Sequence, residues 1–499
     1  MNLYVSAGCR LFPGAASKRS ARFVRRAPAL WRSIGGLALA AGLQVCGAQT
    51  AAPELAAPAG GPAPGGVFSL PPSHASGRSP FALHCSGLPV ANATDDNFFS
   101  YTDSEATPRI AANPRNPLNL VGIWEQDKGA VWGSDGIGLA ASFDGGLTWR
   151  RSFPPVTRCA GGTEDKVTAF ERTRRSHVAF SPNGVAHYIT HSINVYQLGD
   201  TQEAVLAGRS TDGGRSWGPP VPLLRGQGFG INDMARIAAD PSDARYVYAT
   251  WFGLEDVPGK ALGPAMLARS VDNGVTWESG PFIDLGYDLY TFDNELKVLP
   301  DGTVVFFAVG LDGLGNVSAY STRSTDKGLT WSVPVKVADR LPVYSEAEPG
   351  DFANPAQDAI SVAVDPRNGT LYAVWEDGRF SGMARAGIAL SQSIAGGRTW
   401  SEPVQVNRDS KVQAFVPNVH VRFDGQVAVT YYDLRSNTAD PTTLLADLWL
   451  ARSRDGLNWR ESRVSGPFDM NKGPKWRGLL PSVGDQTGLT SVGPFFVPF

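Results

Sequence analysis

Two aspartate–arginine pairs have a spacing that could do chemistry: Asp377 with Arg379, and Asp433 with Arg435. Each pair follows an alternating, β-branched run, and residues two apart point to the same face of a strand. A guanidinium group binds a carboxylate through two parallel hydrogen bonds, and an aspartic acid can protonate a leaving group. The pairs therefore predict either parts of an anion-binding hydrolytic site or, more simply, two salt bridges at a sheet edge.

A second set of polar residues belongs to a repeated motif, Ser-x-Asp-x-Gly-x-Thr-Trp. Its six copies begin 54 to 69 residues apart, at Ser142, Ser210, Ser270, Ser324, Ser393 and Ser453. Five copies keep the aspartate, as Asp144, Asp212, Asp272, Asp326 and Asp455, and the remaining copy has Ala395 in its place. Because one copy has lost the aspartate, we predict a structural role, in which the carboxylate accepts hydrogen bonds from its own turn.

The same loops are poor metal sites. Calcium takes several oxygen ligands, whereas each motif offers one carboxylate. Of the six histidines, His177, His187 and His191 share one predicted hairpin, and no cysteine or carboxylate beside them completes a ligand set. We therefore predict neither a metal nor another cofactor.

The elements that carry these residues form a repeating unit of four strands. In residues 358–407 an alternating hairpin is followed by a third strand, the motif and a fourth strand. Repeated four-stranded antiparallel units of this length predict an all-β fold, a β-propeller. A β-helix is the alternative, but its coils are much shorter.

The number of blades is open between six and seven. Six units end near Ser465, and residues 488–499 look like one further hairpin. Seven blades are favoured, with residues 81–105 supplying the outer strands of the last one. The alternative is six blades with an additional C-terminal hairpin.

The N-terminus predicts an exported protein. A basic region precedes an apolar run at residues 34–45, and Ala48 is a plausible cleavage position, so residues 1–48 are a predicted signal peptide. The apolar run is shorter than the roughly 20 residues of a membrane-spanning helix. Residues 49–80 are rich in alanine, proline and glycine, which predicts a linker before a propeller at residues 81–499. A secreted or periplasmic location follows, with attachment to the cell envelope as a further possibility.

Cysteine content and charge add two expectations. Signal cleavage would leave Cys85 and Cys159, which form either a disulfide or two buried thiols. The formal net charge is −2, with 18% charged residues and no basic cluster in the repeats. Nucleic acid is therefore not an expected partner.

Together with the four-strand pattern of the units that contain it, the repeated motif resembles the Asp box, or BNR repeat, of the sialidase (neuraminidase) superfamily. The resemblance covers about residues 100–499 and implies a β-propeller. Members of this superfamily that cleave sialic acid bind its carboxylate with three arginines. An aspartic acid protonates the leaving group, and a tyrosine assisted by a glutamate is the nucleophile. Asp boxes also occur in propellers with other substrates or with no catalytic activity.

The resemblance and the expected strand ends imply a set of site residues. Arg109 and Arg236 each open an Arg-Ile-Ala sequence at a first strand, similar to the superfamily's Arg-Ile-Pro, and Glu295 begins another first strand. The full set of catalytic candidates is Arg109, Arg236, Arg379, Arg435, Tyr432, Glu295 and Asp127. Other carboxylates at these strand ends, including Asp233, Asp293 and Asp485, are expected to cap turns.

These features predict an exported exo-sialidase-like glycoside hydrolase whose partner is a glycan or glycoconjugate. A non-catalytic propeller that binds a glycan or a protein is the main alternative. A two-carboxylate hydrolase acting on neutral polysaccharide is a third. Three arginines beside a Tyr–Glu pair would favour the first, two facing carboxylates without arginine the third, and the absence of both arrangements the second. No integral membrane domain is expected after signal cleavage.

Overall fold

The computed structural model describes residues 73–83, 85, 99–130, 133–166, 168–194, 202–227, 232–253, 265–280, 283, 285, 290–312, 314–343, 359–476 and 480–499. The predicted signal peptide and residues 49–72 of the predicted linker lie outside these residues. Three short 3-10 helices, Glu164–Lys166, Arg379–Ser381 and Met470–Lys472, lie in the connections. Within the described ranges, no helix has the length and apolar character needed to cross a bilayer.

Six four-stranded antiparallel units, named blades I to VI, follow one another along the chain; blades III to VI are separate sheets, and one β3–β5 pairing, Ser134 with Thr173, joins blades I and II into an eight-stranded sheet. Blade I contains β1 (Glu105–Asn113), β2 (Asn116–Lys128), β3 (Ser134–Ser142) and β4 (Arg150–Ser152), and blade II contains β5 (Arg172–Phe180), β6 (Ala186–Ile193), β7 (Gln202–Ser210) and β8 (Val221–Gln227). Blade III contains β9 (Asn232–Ala239), β10 (Val247–Gly253), β11 (Ala265–Ser270) and β12 (Glu278–Ser279), and blade IV contains β13 (Tyr290–Val298), β14 (Val304–Leu311), β15 (Val317–Ser324) and β16 (Val335–Arg340). Blade V contains β17 (Ile360–Val364), β18 (Leu371–Asp377), β19 (Gly387–Ser393) and β20 (Val404–Gln405), and blade VI contains β21 (Ala414–Val421), β22 (Val427–Asp433), β23 (Leu445–Ser453) and β24 (Arg460–Asp469).

Two hairpins follow the sixth blade. They are β25 (Lys475–Trp476) with β26 (Leu480–Pro481), and β27 (Leu489–Val492) with β28 (Phe495–Pro498). The first strands of blades I to VI contact one another in order, and β27 contacts both β21 and β1. The predicted β-propeller is therefore confirmed, and the C-terminal hairpin occupies a seventh position in the ring.

No strand within the described parts of residues 81–105 pairs with the C-terminal hairpin. Within the described residues, the sheet of β27 and β28 has two strands. The described parts of residues 81–105 contact blade I instead: the Phe81 and Phe153 rings are 5.7 Å apart, and Ser100 pairs with Gly129. Residues 86–98 lie outside the description.

Hydrophobic layers between blades hold the ring together. In β14, consecutive side chains point to opposite faces, so Phe306 packs toward blade III and Phe307 toward blade V. Both rings are fully buried, and burial of such a side chain contributes about 1.5–3 kcal/mol. Strands covered on both faces explain why the sequence of β14 is almost continuously apolar.

The Asp boxes form the turns between third and fourth strands. In blade I, the Asp144 carboxylate accepts hydrogen bonds from the backbone N–H groups of Leu147 and Thr148, at 3.0 and 2.9 Å, and from the Thr148 hydroxyl at 2.6 Å. The same pattern recurs around Asp272 and Asp326. Antiparallel order places these turns at the edge where first strands end, the lower edge. First strands begin at the opposite, upper edge.

Both described ends of the chain contact blade I. The Ser79 hydroxyl donates to the Asp127 carboxylate at 2.6 Å, and its backbone N–H donates to Asp103, also at 2.6 Å. A disulfide joins Cys85 to Cys159. From the other end, the Phe499 ring lies 5.6 Å from that of Trp149. These contacts attach both described ends of the chain to blade I. The last hairpin packs against this blade and so closes the ring.

Candidate active site in the channel

A β-bulge recurs near the upper end of the innermost strands. The pairing register shifts between Ala106 and Arg109 in β1, between Arg174 and His177 in β5, and between Phe415 and Asn418 in β21. Residues inside or beside the shifts take a positive φ, namely Thr107, Arg175, Met234 and Val416. An extra residue in a strand changes the direction in which the neighbouring side chains point. The bulges therefore set which side chains of the first strands enter the channel.

Three of the predicted residues, Arg109, Arg236 and Glu295, come together there. Arg236 Nη2 lies 3.4 Å from Asp293 Oδ1, and its Nε lies 3.7 Å from Glu295 Oε2. Burial together with the nearby charge of Arg236 lowers the pKa of Arg109 to about 10. Arg109 Nε also donates to Gln486 Oε1 at 2.7 Å, so the segment that leads into the last hairpin helps to orient it.

The surroundings drive the pKa values of Asp293 and Glu295 in opposite directions. Burial raises the pKa of Asp293, although Arg236 and a hydrogen bond from the Ile360 N–H at 2.7 Å oppose the rise. Burial would also raise the pKa of Glu295, but Lys297, at 2.9 Å, and Arg236 outweigh it and lower that pKa. Two carboxyl groups with separated pKa values are suited to separate acid and base roles.

A second ionic group lies beside the first. Arg175 Nε donates to Asp233 Oδ1 at 3.2 Å, and Arg175 Nη1 forms an ion pair with Asp485. Arg174 Nη1 lies 3.4 Å from the other oxygen of Asp233. Burial would raise the pKa of Asp233, but the two arginines lower it to about 2. We name Arg109, Arg175, Arg236, Asp233, Asp293, Glu295, Lys297 and Asp485 the channel cluster.

Arg175 and Lys297 are not among the residues predicted from sequence. Arg175 follows another arginine in a strand, and this pattern alone does not show which side chain faces the channel. Its placement depends on the bulge, where its φ is 56°. Lys297 lies two residues after Glu295, and this same-face spacing was the available signal.

The other predicted arginines lie toward the outer strands. Arg379 pairs with Asp377 at 2.8 Å and donates to the backbone carbonyl of Asp339, in the outermost strand of blade IV. Arg435 pairs with Asp433 at 2.6 Å and with Glu461, in the outermost strand of blade VI, at 3.2 Å. Both therefore form the salt bridges that the sequence suggested as the simpler interpretation.

Tyr432 and Asp127 also lie apart from the channel cluster. The Tyr432 ring packs 5.7 Å from Phe415 and 5.8 Å from Phe468, and burial raises its pKa to about 12. Asp127 accepts hydrogen bonds from Ser79 and from the Asp103 N–H. The structure does describe a tyrosine–glutamate pair, Tyr431 Oη with Glu461 Oε1 at 2.5 Å, but it joins β22 to β24 within blade VI.

Comparison with solved structures finds similar propellers at low sequence identity. A Dyadobacter fermentans protein of unknown function is 15% identical, with a TM-score of 0.45 over 69% of this chain and 93% of that one. The Hadza microbial sialidase Hz136 is 16% identical, with a TM-score of 0.45 over 76% and 70%. A Penicillium chrysogenum α-L-arabinanase is 16% identical, with a TM-score of 0.44 over 67% of this chain and 92% of that one.

Comparison with curated proteins finds no match. The family model for the BNR repeat-like domain matches residues 119–429, which run from β2 of blade I to β22 of blade VI. This match includes more than half of the sequence and five of the six Asp boxes. The chain therefore belongs to the BNR repeat-like domain family.

Proposed function

We propose that the protein is an exported glycoside hydrolase that removes a terminal acidic sugar from a glycan, with sialosides as the first substrate class. The observation that carries the proposal is the channel cluster, in which Asp293 and Glu295 have oppositely shifted pKa values beside Arg109, Arg175 and Arg236. Convergent guanidinium groups suit a carboxylate on the substrate. The carboxyl pair suits acid–base cleavage.

Each group has a distinct part in this proposal. The arginines bind the sugar carboxylate, and protonated Asp293 gives its proton to the leaving glycosidic oxygen. The bond between that oxygen and the anomeric carbon breaks. Ionised Glu295 then takes a proton from the water that adds to the anomeric carbon. The two carboxyl groups recover their starting states by returning one proton from Glu295 and taking up one at Asp293.

Release of a fluorescent aglycone tests the proposal. Purified wild type is expected to hydrolyse a sialoside, and Arg109→Gln is expected to lower kcat/KM by about 100-fold because a charge-assisted contact to the substrate is lost. Arg422→Gln is the matched control, since Arg422 is 8% exposed against 9% for Arg109 and pairs with Asp424 near the lower edge. Folded wild type that cleaves a neutral arabinofuranoside but neither a sialoside nor a glucuronide would contradict the proposal.

One observation favours a second candidate, a propeller that binds an acidic glycan without cleaving it. The carboxylates of the channel cluster are already paired with its cations, and Asp293 and Glu295 are each about 1% exposed. Calorimetric titration with sialyllactose separates the two functions. Binding without turnover by the folded protein would support the second candidate.

A further inference from the structure

We propose that buried His191 and Glu203 are positioning residues that hold Arg175 ready for the anionic group of the glycan. Arg175 is the most exposed arginine of the channel cluster, with 18% of its side chain accessible. It also occupies a bulge position at which three other blades carry threonine, methionine or valine. The inference rests on the proposed function for the ligand of Arg175. The positioning itself is a property of the fold.

The first step is the histidine–carboxylate pair inside blade II. His191, on β6, has no accessible surface, and Glu203, on β7, is 3% exposed. His191 Nε2 lies 2.9 Å from Glu203 Oε2, while His191 Nδ1 accepts a hydrogen bond from Arg174 Nε at 3.2 Å. A nitrogen that accepts carries no proton. The ring is therefore the neutral tautomer with its proton on Nε2, and burial, which lowers the pKa of His191, favours the same form.

The second step leads from Arg174 to Arg175 through one carboxylate. Asp233, on the first strand of blade III, meets Arg174 with Oδ2 and Arg175 with Oδ1. Two neighbouring arginines thus share the carboxylate of Asp233, whose side chain is 14% accessible. Because His191 engages the Nε of Arg174, that side chain is fixed to one oxygen of Asp233. The other oxygen is left for Arg175.

Loss of the His191 Nδ1 acceptor would change which oxygen of Asp233 each of the two arginines contacts. Arg174 would then turn its Nε toward Asp233, where it would compete with Arg175 for the same oxygen. Arg175 would keep its ion pair with Asp485, in the segment before the seventh hairpin, but would lose the contact with Asp233 that holds it from the other side. A binding group held from one side only has more conformational freedom to lose when the ligand arrives, so binding weakens.

The chain offers a matched set of variants. In His191→Gln the amide can still reach Glu203, but the Nδ1 acceptor is absent; in His191→Asn the amide oxygen lies near the Nδ1 position. His187, on the same strand and 1% exposed, bonds Ser181 at 2.8 Å, and it serves as the control in His187→Gln. All variants are first checked by thermal unfolding.

Nitrogen NMR of labelled histidine and arginine tests the positioning without any substrate. Wild-type His191 is expected to be neutral with the proton on Nε2 at pH 6, and His191→Gln is expected to shift the Arg175 Nε resonance while His187→Gln leaves it in place. A proton on Nδ1, an imidazolium ring at pH 6, or an unmoved Arg175 resonance would overturn the inference. These outcomes do not depend on hydrolysis, so failure of the proposed function is seen separately.

Sialoside kinetics test the consequence for binding. His191→Gln is expected to raise KM about 10-fold with kcat nearly unchanged, because the lost contact is one of ground-state binding. His191→Asn should recover part of this loss. The double variant His191→Gln/Arg175→Lys should be no worse than Arg175→Lys alone, since both changes act on one group. Additive effects, or a fall in kcat at constant KM, would show that His191 does not act through Arg175.

Discussion

At the scale of single residues, Asp293 and Glu295 show how different surroundings separate the pKa values of two similar carboxyl groups. They lie two residues apart on β13, yet the pKa of Asp293 is raised and that of Glu295 is lowered. If Asp293 is the acid, activity falls as rising pH removes its proton. If Glu295 is the base, activity falls as falling pH protonates it. A bell-shaped dependence of kcat/KM on pH is therefore expected.

Two substitutions test these two roles. Asp293→Asn should remove the loss at high pH and lower the plateau by about 100-fold or more, whereas Glu295→Gln should lower activity throughout the measured range, because Lys297 and Arg236 hold the pKa of Glu295 below the acid end of that range. The measurement is sialoside hydrolysis from pH 3 to 9, with Arg422→Gln as the folded control. If both variants keep the wild-type profile, these carboxyl groups are not the acid and the base.

At the scale of structural elements, the clearest example is the Asp-box turn. In blade IV, hydrogen bonds from Thr330 lower the pKa of Asp326 from 3.8 to about 2. A lowered pKa stabilises the fold above the ordinary pKa, and this stabilisation is lost as the pH falls toward 2. Asp326→Asn should therefore unfold at a lower temperature than wild type at pH 6. The difference should shrink below pH 4 in calorimetric scans, and a constant difference would contradict the assignment.

In blade V the reverse substitution, which introduces an aspartate into an Asp box, can be made. Its box lacks the aspartate, but Ser393 Oγ still accepts from the Gly397 N–H at 2.8 Å, as in the complete boxes, and Gly396 and Gly397 keep positive φ. The turn is thus already shaped for an acceptor. Ala395→Asp is expected to stabilise the protein by about 0.5–1.5 kcal/mol, the net value of added hydrogen bonds. Urea denaturation measures the gain, and Ala395→Leu, which adds no acceptor, should show none.

How well each feature can be predicted from sequence depends on how far apart in the chain its interacting residues lie. The Asp boxes and four-stranded units could be predicted because their hydrogen bonds join residues a few positions apart. Arg109, Arg236 and Glu295 could be placed at first strands, and the structure brings them together. The parts played by Arg175 and Asp485 could not be predicted, because they depend on a bulge and on a contact between blade II and the segment before the seventh hairpin.

At the scale of the whole molecule, the disulfide ties the chain before the first blade to the loop after β4. The two cysteines are 74 residues apart, and cross-linking a loop of this size removes conformational freedom from the unfolded chain. The double variant Cys85→Ser/Cys159→Ser should lose about 2–5 kcal/mol of stability. Urea denaturation measures the loss. A reducing agent should destabilise wild type but not the variant, and equal stability of the two proteins would contradict the expectation.

The closing hairpin also determines when the channel cluster can exist during synthesis. Arg109 in the first blade meets Gln486, 377 positions later, and Asp485 reaches Arg175 in the second. Blades that the ribosome has released can pack against one another, but these pairs form only after the last strands emerge. Contacts this distant in sequence are slow to form. A nascent chain stalled before residue 485 would therefore lack both contacts, and the channel cluster would be complete only when the ring closes.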